Sequence, residues 1–210
     1  QLENNFDLNY MYGKDYGYRT GINKTMTLHV KKIVKMLSVK TKIKKHDLAL
    51  DIASNDGTLL KAFERRGFDI FGVDPAETVA SAAEQQGVKT LVALFSDKII
   101  DDLPPSFQKV DLITAFNVFA HSDDMQGMIS GVSKLLNPNG LFCFEVQYLV
   151  PILDKYLLGT IFHEHMIHYS VTSANNFMKA NGFKIIDLQF NNIQKGSIII
   201  FATRASNSIL

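Results

Sequence analysis

The segment Ile161-Phe162-His163-Glu164-His165-Met166-Ile167-His168-Tyr169 concentrates proton-handling side chains in one stretch. Imidazoles titrate near neutrality and a neighbouring carboxylate can orient or polarise one of them, so the pattern suits a general base. His165 is the expected base, whereas His163 reads as a core or turn histidine and His168 as a surface one. The three histidines also raise a zinc reading. The segment departs from the helical H-E-x-x-H spacing, and sequence places no further ligand or water-activating glutamate, so no metal is expected. Two other groups fall where strands should end, Asn117 through His121 and Glu145 through Tyr148.

A second constellation lies in Leu48–Leu60 and is answered by Ile70-Phe71-Gly72-Val73-Asp74-Pro75. It reads as a buried strand, a tight turn of small residues, a helix, and a second strand ending in a carboxylate. In a G-x-G-x-x-G turn, backbone N–H groups and a helix N-terminus approach a pyrophosphate. Here the turn is Asp51-Ile52-Ala53-Ser54-Asn55-Asp56-Gly57, with a single glycine and two carboxylates. Such a turn repels phosphate, which disfavours NAD, and suits a ligand with a cationic amino-acid end. Asp74 is placed to accept from ribose hydroxyls. S-adenosylmethionine (SAM) has both features. Asp56 also reads as the cap of a helix starting at Thr58, a role compatible with the first.

The elements that must position these residues follow from periodicity. Strands are expected near 48–53, 69–73, 89–93, 110–116, 140–146, 183–190 and 197–203, and helices near 58–66, 77–86, 124–136, 149–158 and 172–181. A short helix is expected near 96–102, and Asn137-Pro138-Asn139-Gly140 reads as a turn. Val30, Ile33, Val34 and Leu37 form the apolar stripe of an earlier helix, with the lysines between Lys31 and Lys45 as its solvated face. The last two strands are close enough for a hairpin. These patterns predict an α/β Rossmann-like fold: a seven-stranded, mostly parallel sheet with an antiparallel C-terminal strand and helices on both faces. One domain is expected over 1–210, with an arm and helix at 1–46, a cofactor core at 47–147 and a substrate-side segment with the terminal hairpin at 148–210.

Composition narrows the partners. The 210 residues are 46% hydrophobic and 20% charged, and 22 basic residues against 21 acidic ones give no charge argument for nucleic acid. No apolar run approaches the ~20 residues of a membrane span. With Cys143 as the sole cysteine no internal disulfide can form, and a cytoplasmic setting is expected. Gln1 in place of Met is read as a sign that N-terminal sequence was trimmed.

From about Asp15 onward the chain resembles the sugar C-methyltransferases of the SAM-dependent class I superfamily, which act on nucleotide-linked keto-deoxysugars. The matching pieces are Tyr16-Gly17-Tyr18-Arg19-Thr20-Gly21, Asp51 to Leu60, Gly72-Val73-Asp74-Pro75, Asn117-Val118-Phe119-Ala120-His121 and Thr160-Ile161-Phe162-His163-Glu164-His165, with Lys195-Gly196-Ser197 a weaker match. The resemblance implies a methyltransferase that converts SAM to S-adenosylhomocysteine (SAH). Asp51, Ala53, Ser54, Asn55 and Gly57 would hold its methionine end, Asp74 and Pro75 its ribose, Leu94, Phe95 and Ser96 its adenine, and Asn117 would border it. His165, Glu164 and His121 would be catalytic, and Tyr16, Tyr18, Glu145 and Phe162 would contact a small-molecule, nucleotide-linked substrate. His165 would take the proton beside a keto group. The family's zinc-binding N-terminal and further C-terminal domains have no counterpart in these 210 residues. Ala53 stands where the family usually has glycine, a change that fits where the backbone keeps a negative φ. Phe162 stands where it usually has tyrosine, which keeps oxygen methylation open as the rival. A catalytically silent SAM-binding protein is the alternative of a different class. Oligomeric state cannot be read from the sequence.

Overall fold

Near-continuous burial along the central strands, with successive side chains on opposite faces, builds two cores on one sheet. The structure, a computed structural model, describes residues 7–13, 16–40, 44–162 and 164–207, with the backbone alone for Asn9. The strands are β1 (Leu48–Ile52), β2 (Asp69–Asp74), β3 (Thr90–Val92), β4 (Val110–Phe116), β5 (Leu136–Gln147), β6 (Phe183–Asn191) and β7 (Ser197–Arg204). They lie in the order β3-β2-β1-β4-β5-β7-β6. The run from β3 to β5 is parallel, and β7 is antiparallel to both of its neighbours. The helices are α1 (Leu8–Met11), α2 (Lys24–Lys40), α3 (Thr58–Glu64), α4 (Glu77–Gln85), α5 (Met125–Leu135), α6 (Leu149–Asp154) and α7 (Val171–Ala180).

The period-two pattern of β5 divides its side chains between the two faces. Phe142 and Phe144 join Met128, Ile129 and Val132 of α5 and Met178 of α7 in one cluster. Leu141 and Cys143 join Val30, Ile33, Val34 and Leu37 of α2 and Leu60 and Phe63 of α3 in the other. The expected stripe of α2 is therefore its buried face, and Lys31, Lys32 and Lys35 are exposed. Burial of each large apolar side chain contributes about 1.5–3 kcal/mol.

Two local expectations are corrected, and the short helix expected near 96–102 is present as a 3-10 helix over Asp97–Asp102. Leu136 leaves the helix with extended angles (φ −67°, ψ 128°) and already pairs with Val110, while Leu141 pairs with Leu112. Asn137–Gly140 is thus a bulge within β5 rather than a turn before it. Helix α6 stops at Asp154, because Tyr156 adopts a left-handed φ of 50° that an α-helix cannot continue. Among the described residues no helix is long and apolar enough to cross a membrane.

Candidate active site

The parallel strands end on a common rim, where open α/β sheets gather ligands. A cavity of about 860 Å³ opens there. Its wall contains Asp51, Ala53, Ser54, Asn55, Asp74, Pro75, Leu94, Phe95, Ser96 and Asn117 from the expected cofactor set. Tyr16, Tyr18, His121, Glu145, Phe162, Glu164 and His165 complete the lining expected from sequence. Gly57 is not part of the wall. It opens α3 at φ 76°, and a Cβ there would come within 2.8 Å of the Val88 side chain. Its lack of a side chain serves the turn and the packing of α3 rather than a ligand.

At the cofactor end, Asp51 is 4% exposed and accepts a 2.6 Å hydrogen bond from the Thr114 hydroxyl. Burial pushes its carboxyl up to about 8, the Thr114 bond opposes this, and the Asp74 charge adds to it. Asp74 accepts from the backbone N–H of Asn55 at 2.8 Å and of Ala76 at 2.9 Å. Burial raises its pKa and those two bonds hold it back. Lone pairs of the carboxylate remain for a ligand diol. The turn between them is strained: Ala53 has φ 54° and Asn55 φ 52°. Ala53 therefore does not meet the expected negative φ; alanine here carries the steric cost that glycine would avoid. Ser54 packs so closely on β2 that a Cβ at Gly72 would lie 2.4 Å from its Oγ.

The N-terminal arm is tied across this turn. Asn55 accepts from Thr20 N–H at 2.8 Å and donates its amide to the Tyr18 carbonyl at 2.9 Å. Asp56 accepts from Gly21 N–H at 2.8 Å and, through its other oxygen, from the Thr58 hydroxyl and N–H. Thr78 donates to the Tyr16 carbonyl at 2.7 Å. Of the two acidic residues in the turn, only Asp51 faces the cavity; Asp56 caps α3 and holds the arm. Gly21 is required by closeness, since a Cβ would sit 2.8 Å from Thr58 Oγ.

At the opposite end, His165 Nδ1 lies 2.8 Å from the Thr160 carbonyl. A carbonyl only accepts, so Nδ1 carries a proton, and in the neutral imidazole Nε2 keeps its lone pair. The His121 ring stands 5.0 Å away, edge to face, and Phe162 lies 4.4 Å from His165 between ring centres. His121 Nδ1 meets the Tyr12 hydroxyl at 2.7 Å. Burial, with a smaller push from His165, lowers His121 to about 4. Tyr16 is raised to about 12 by burial and by the charges of Asp74 and Glu164. Glu145 is fully buried and both its oxygens are engaged, one with His29 Nε2 at 2.7 Å and one with the Asn191 amide at 2.6 Å. It lines the wall as the centre of a hydrogen-bonded set with His29 and Asn191. His168 is half-buried rather than on the surface, and its Nε2 is buried without a hydrogen-bond partner. His163 lies outside the described residues. Among the described residues no group of three or more His, Cys, Asp or Glu is arranged to hold a metal ion.

Tyr12 and His29 belong to the wall but were not expected there from sequence, and Gln147 joins them from the Glu145–Tyr148 group. Tyr12 sits in the tyrosine-rich patch of the arm. His29 precedes Val30 on the buried face of α2, and Gln147 follows Glu145 by one strand period. Gln147 donates its amide to the Gln194 carbonyl at 3.1 Å, while its Oε1, like Asn117 Oδ1, is buried without a partner. Orphaned acceptors in a cavity wall suit a ligand that brings donors, such as an ammonium or a hydroxyl. The acceptor set at the cofactor end, Asp51, Asp74 and Asn117, therefore fits an amino-acid nucleoside.

A family model described as a methyltransferase domain matches residues 22–188. The chain is 33% identical over 178 residues to C-methyltransferase NovU of Streptomyces niveus, covering 85% of this chain and 42% of that protein. It is 28% identical over 93 residues to a ubiquinone biosynthesis O-methyltransferase of Rhodopseudomonas palustris, covering 44% and 36%. The chain thus spans less than half the length of either relative. Among solved structures it superposes on magnesium protoporphyrin IX methyltransferase (ChlM) from Synechocystis PCC 6803 with bound SAH. That match has a TM-score of 0.66 and 17% identity, and covers 93% of this chain and 92% of that one. A seven-stranded sheet with one antiparallel strand, a ligand cavity at its carboxyl rim and a family match running through both place this chain in the methyltransferase domain family.

Proposed function

We propose that the protein is a SAM-dependent methyltransferase that methylates a nucleotide-linked keto sugar or related glycan precursor on carbon, with His165 as the base. The observation that carries the reading is the His165 tautomer: its Nδ1–H is held by the Thr160 carbonyl, and its Nε2 lone pair is left for a substrate in a cavity shared with Asp51 and Asp74. The similarity to NovU supports carbon as the acceptor atom.

The cofactor supplies an electrophilic methyl group on a sulfonium. Asp51 and Asn117 would meet its ammonium and Asp74 its ribose, and the arm carrying Tyr16 and Tyr18 would exclude water. His165 would remove the proton beside the keto group, because a carbon there attacks only after losing it. Alignment by the fixed wall supplies the remainder of the rate.

Transfer of labelled methyl from SAM to a panel of nucleotide-linked keto-deoxysugars tests this. His165→Gln is expected to keep SAH affinity and lower turnover by about 10²–10⁴-fold. Near wild-type turnover in that variant would remove the base. It would favour the second reading, methylation of an already ionised oxygen, to which the O-methyltransferase relatives and the absent Phe162 hydroxyl lend support. SAH binding with no transfer to any acceptor would favour a silent SAM-binding protein.

A further inference from the structure

We propose that Tyr12 holds His121 in the tautomer opposite to that of His165, so that the two imidazoles work on one acceptor as hydrogen-bond donor and proton acceptor. The Tyr12 hydroxyl and His121 Nδ1 are 2.7 Å apart. That separation lies within the range of an O–H donor. The environment keeps each partner in the form this bond needs. Burial raises the Tyr12 phenol well above its ordinary value, and the Glu164 and Tyr16 charges and a hydrogen bond with Glu164 add to it, so the phenol retains its proton. Burial holds His121 neutral, with one ring proton to place. When the phenol donates into Nδ1, that proton resides on Nε2.

His165 is arranged the other way round. Its Nδ1–H is spent on the Thr160 carbonyl at 2.8 Å, so in the neutral ring Nε2 is the unprotonated nitrogen. The two rings are 5.0 Å apart at 75° and both line the cavity. Identical side chains thus acquire complementary roles from partners on different elements, the arm for one and the 3-10 turn Leu158–Thr160 for the other.

The use of this pair rests on the carbon methylation proposed above. The proton beside the acceptor carbonyl passes to His165 Nε2, and the C–H electron pair becomes the enolate. Its oxygen is held by His121 Nε2–H, which lends a hydrogen bond without surrendering its proton. The enolate carbon bonds the methyl group, and the S–CH₃ electron pair stays on sulfur. A neutral imidazole N–H suits an oxygen that gains charge only transiently. Tyr12 is a positioning residue, acting through His121.

The tautomers can be read without any acceptor, so this inference stands or falls separately from the carbon chemistry. Imidazole ¹⁵N spectra of the full chain, assigned by loss of signals in His121→Gln and His165→Gln, give the protonated nitrogen of each ring. The expected result is pyridine-type Nδ1 with pyrrole-type Nε2 for His121, and the reverse for His165. In Tyr12→Phe the His121 pattern should be lost to a tautomer mixture while that of His165 persists. Nδ1–H on His121 in the wild type would overturn the proposal, and would mean that Tyr12 donates to Glu164 instead. An unchanged His121 tautomer in Tyr12→Phe would overturn it as well. If that variant fails to fold, the wild-type spectrum alone decides.

Discussion

Replacing Ala53 by glycine should stabilise the protein, although the change removes a methyl group from the wall of a cavity and adds a flexible residue. The reason lies in φ 54° at this position. A left-handed conformation costs a non-glycine L-residue about 1–2 kcal/mol. Glycine escapes that cost but loses about 0.5–1 kcal/mol through the greater freedom of the unfolded chain. The difference leaves roughly 0.5–1 kcal/mol in favour of Ala53→Gly, which for a chain of this size shifts Tm upward by about 1–4 °C. The control is Ala49→Gly, in the middle of β1 and 1% exposed. That change incurs the chain-entropy cost without relieving strain, and it empties a packed site. It should lower stability by about 1 kcal/mol or more. Thermal and urea unfolding of both variants would measure the pair. If Ala53→Gly were destabilised as much as Ala49→Gly, the turn would not carry a left-handed residue at 53 and the strain argument would fail.

Two further predictions concern the carboxylates. Asp74→Asn turns one accepting oxygen into an amide donor facing the N–H of Asn55 or Ala76, so SAH affinity should fall by about 10–100-fold, equivalent to ~1.5–3 kcal/mol. Because Asn55 also clamps Tyr18 and Thr20, amide exchange over 18–21 should quicken, and an unaltered SAH titration in this variant would contradict the assignment of Asp74 to the ribose. Asp51, raised from 3.8 to about 8, binds a proton in the folded state that the unfolded chain lacks between those values. Its contribution to stability is complete below the lower value and is lost as pH rises through the upper one. Asp51→Asn, which keeps an acceptor for Thr114, should flatten that part of the pH–Tm curve. If the wild-type and variant curves run parallel from pH 4 to 8, the group does not titrate as stated.

The sheet was legible because its physics is local. A strand buried on both faces reads as a largely apolar run, and Leu48–Leu50, Leu112–Ile113 and Ile198–Ala202 do so wherever they end up in the sheet. Asp51 and Asp74 stood out for the same reason, as carboxylates at the ends of such runs. The backbone of the turn did not. Asparagine tolerates the left-handed region, so Asn55 and Asn117 offered a weak signal, but nothing in the letter at Ala53 announces a positive φ. Partners distant in sequence were equally hidden: Tyr12 and His121 are 109 residues apart, and His29 and Glu145 are 116 apart. Neither pair has a spacing that predicts it, and only the folded sheet brings the arm and α2 to the ends of β4 and β5. Asp56 shows the opposite limit. Its type and position allowed both a ligand role and a capping role, and the deciding fact is the N–H of Gly21 beside it.

Several of the places where local rules are broken lie on the cavity wall. Ala53, Asn55 and Asn117 hold left-handed backbone, and Ser54, Asn117 and Gln147 bury oxygens without partners. Each strained residue costs about 1–3 kcal/mol, and each buried orphan a comparable amount. Such costs persist only where the surroundings over-determine the geometry, and here two packed cores and the clamp from Asn55 and Asp56 to the arm do so. A turn that relaxed in the free protein would have to be rebuilt at each binding event. Keeping it fixed moves that cost into folding and leaves donors on the ligand to satisfy acceptors already in place. His121 and His165 follow the same logic at the other end, where hydrogen bonds fixed in advance by Tyr12 and Thr160 determine what each imidazole can offer before an acceptor arrives.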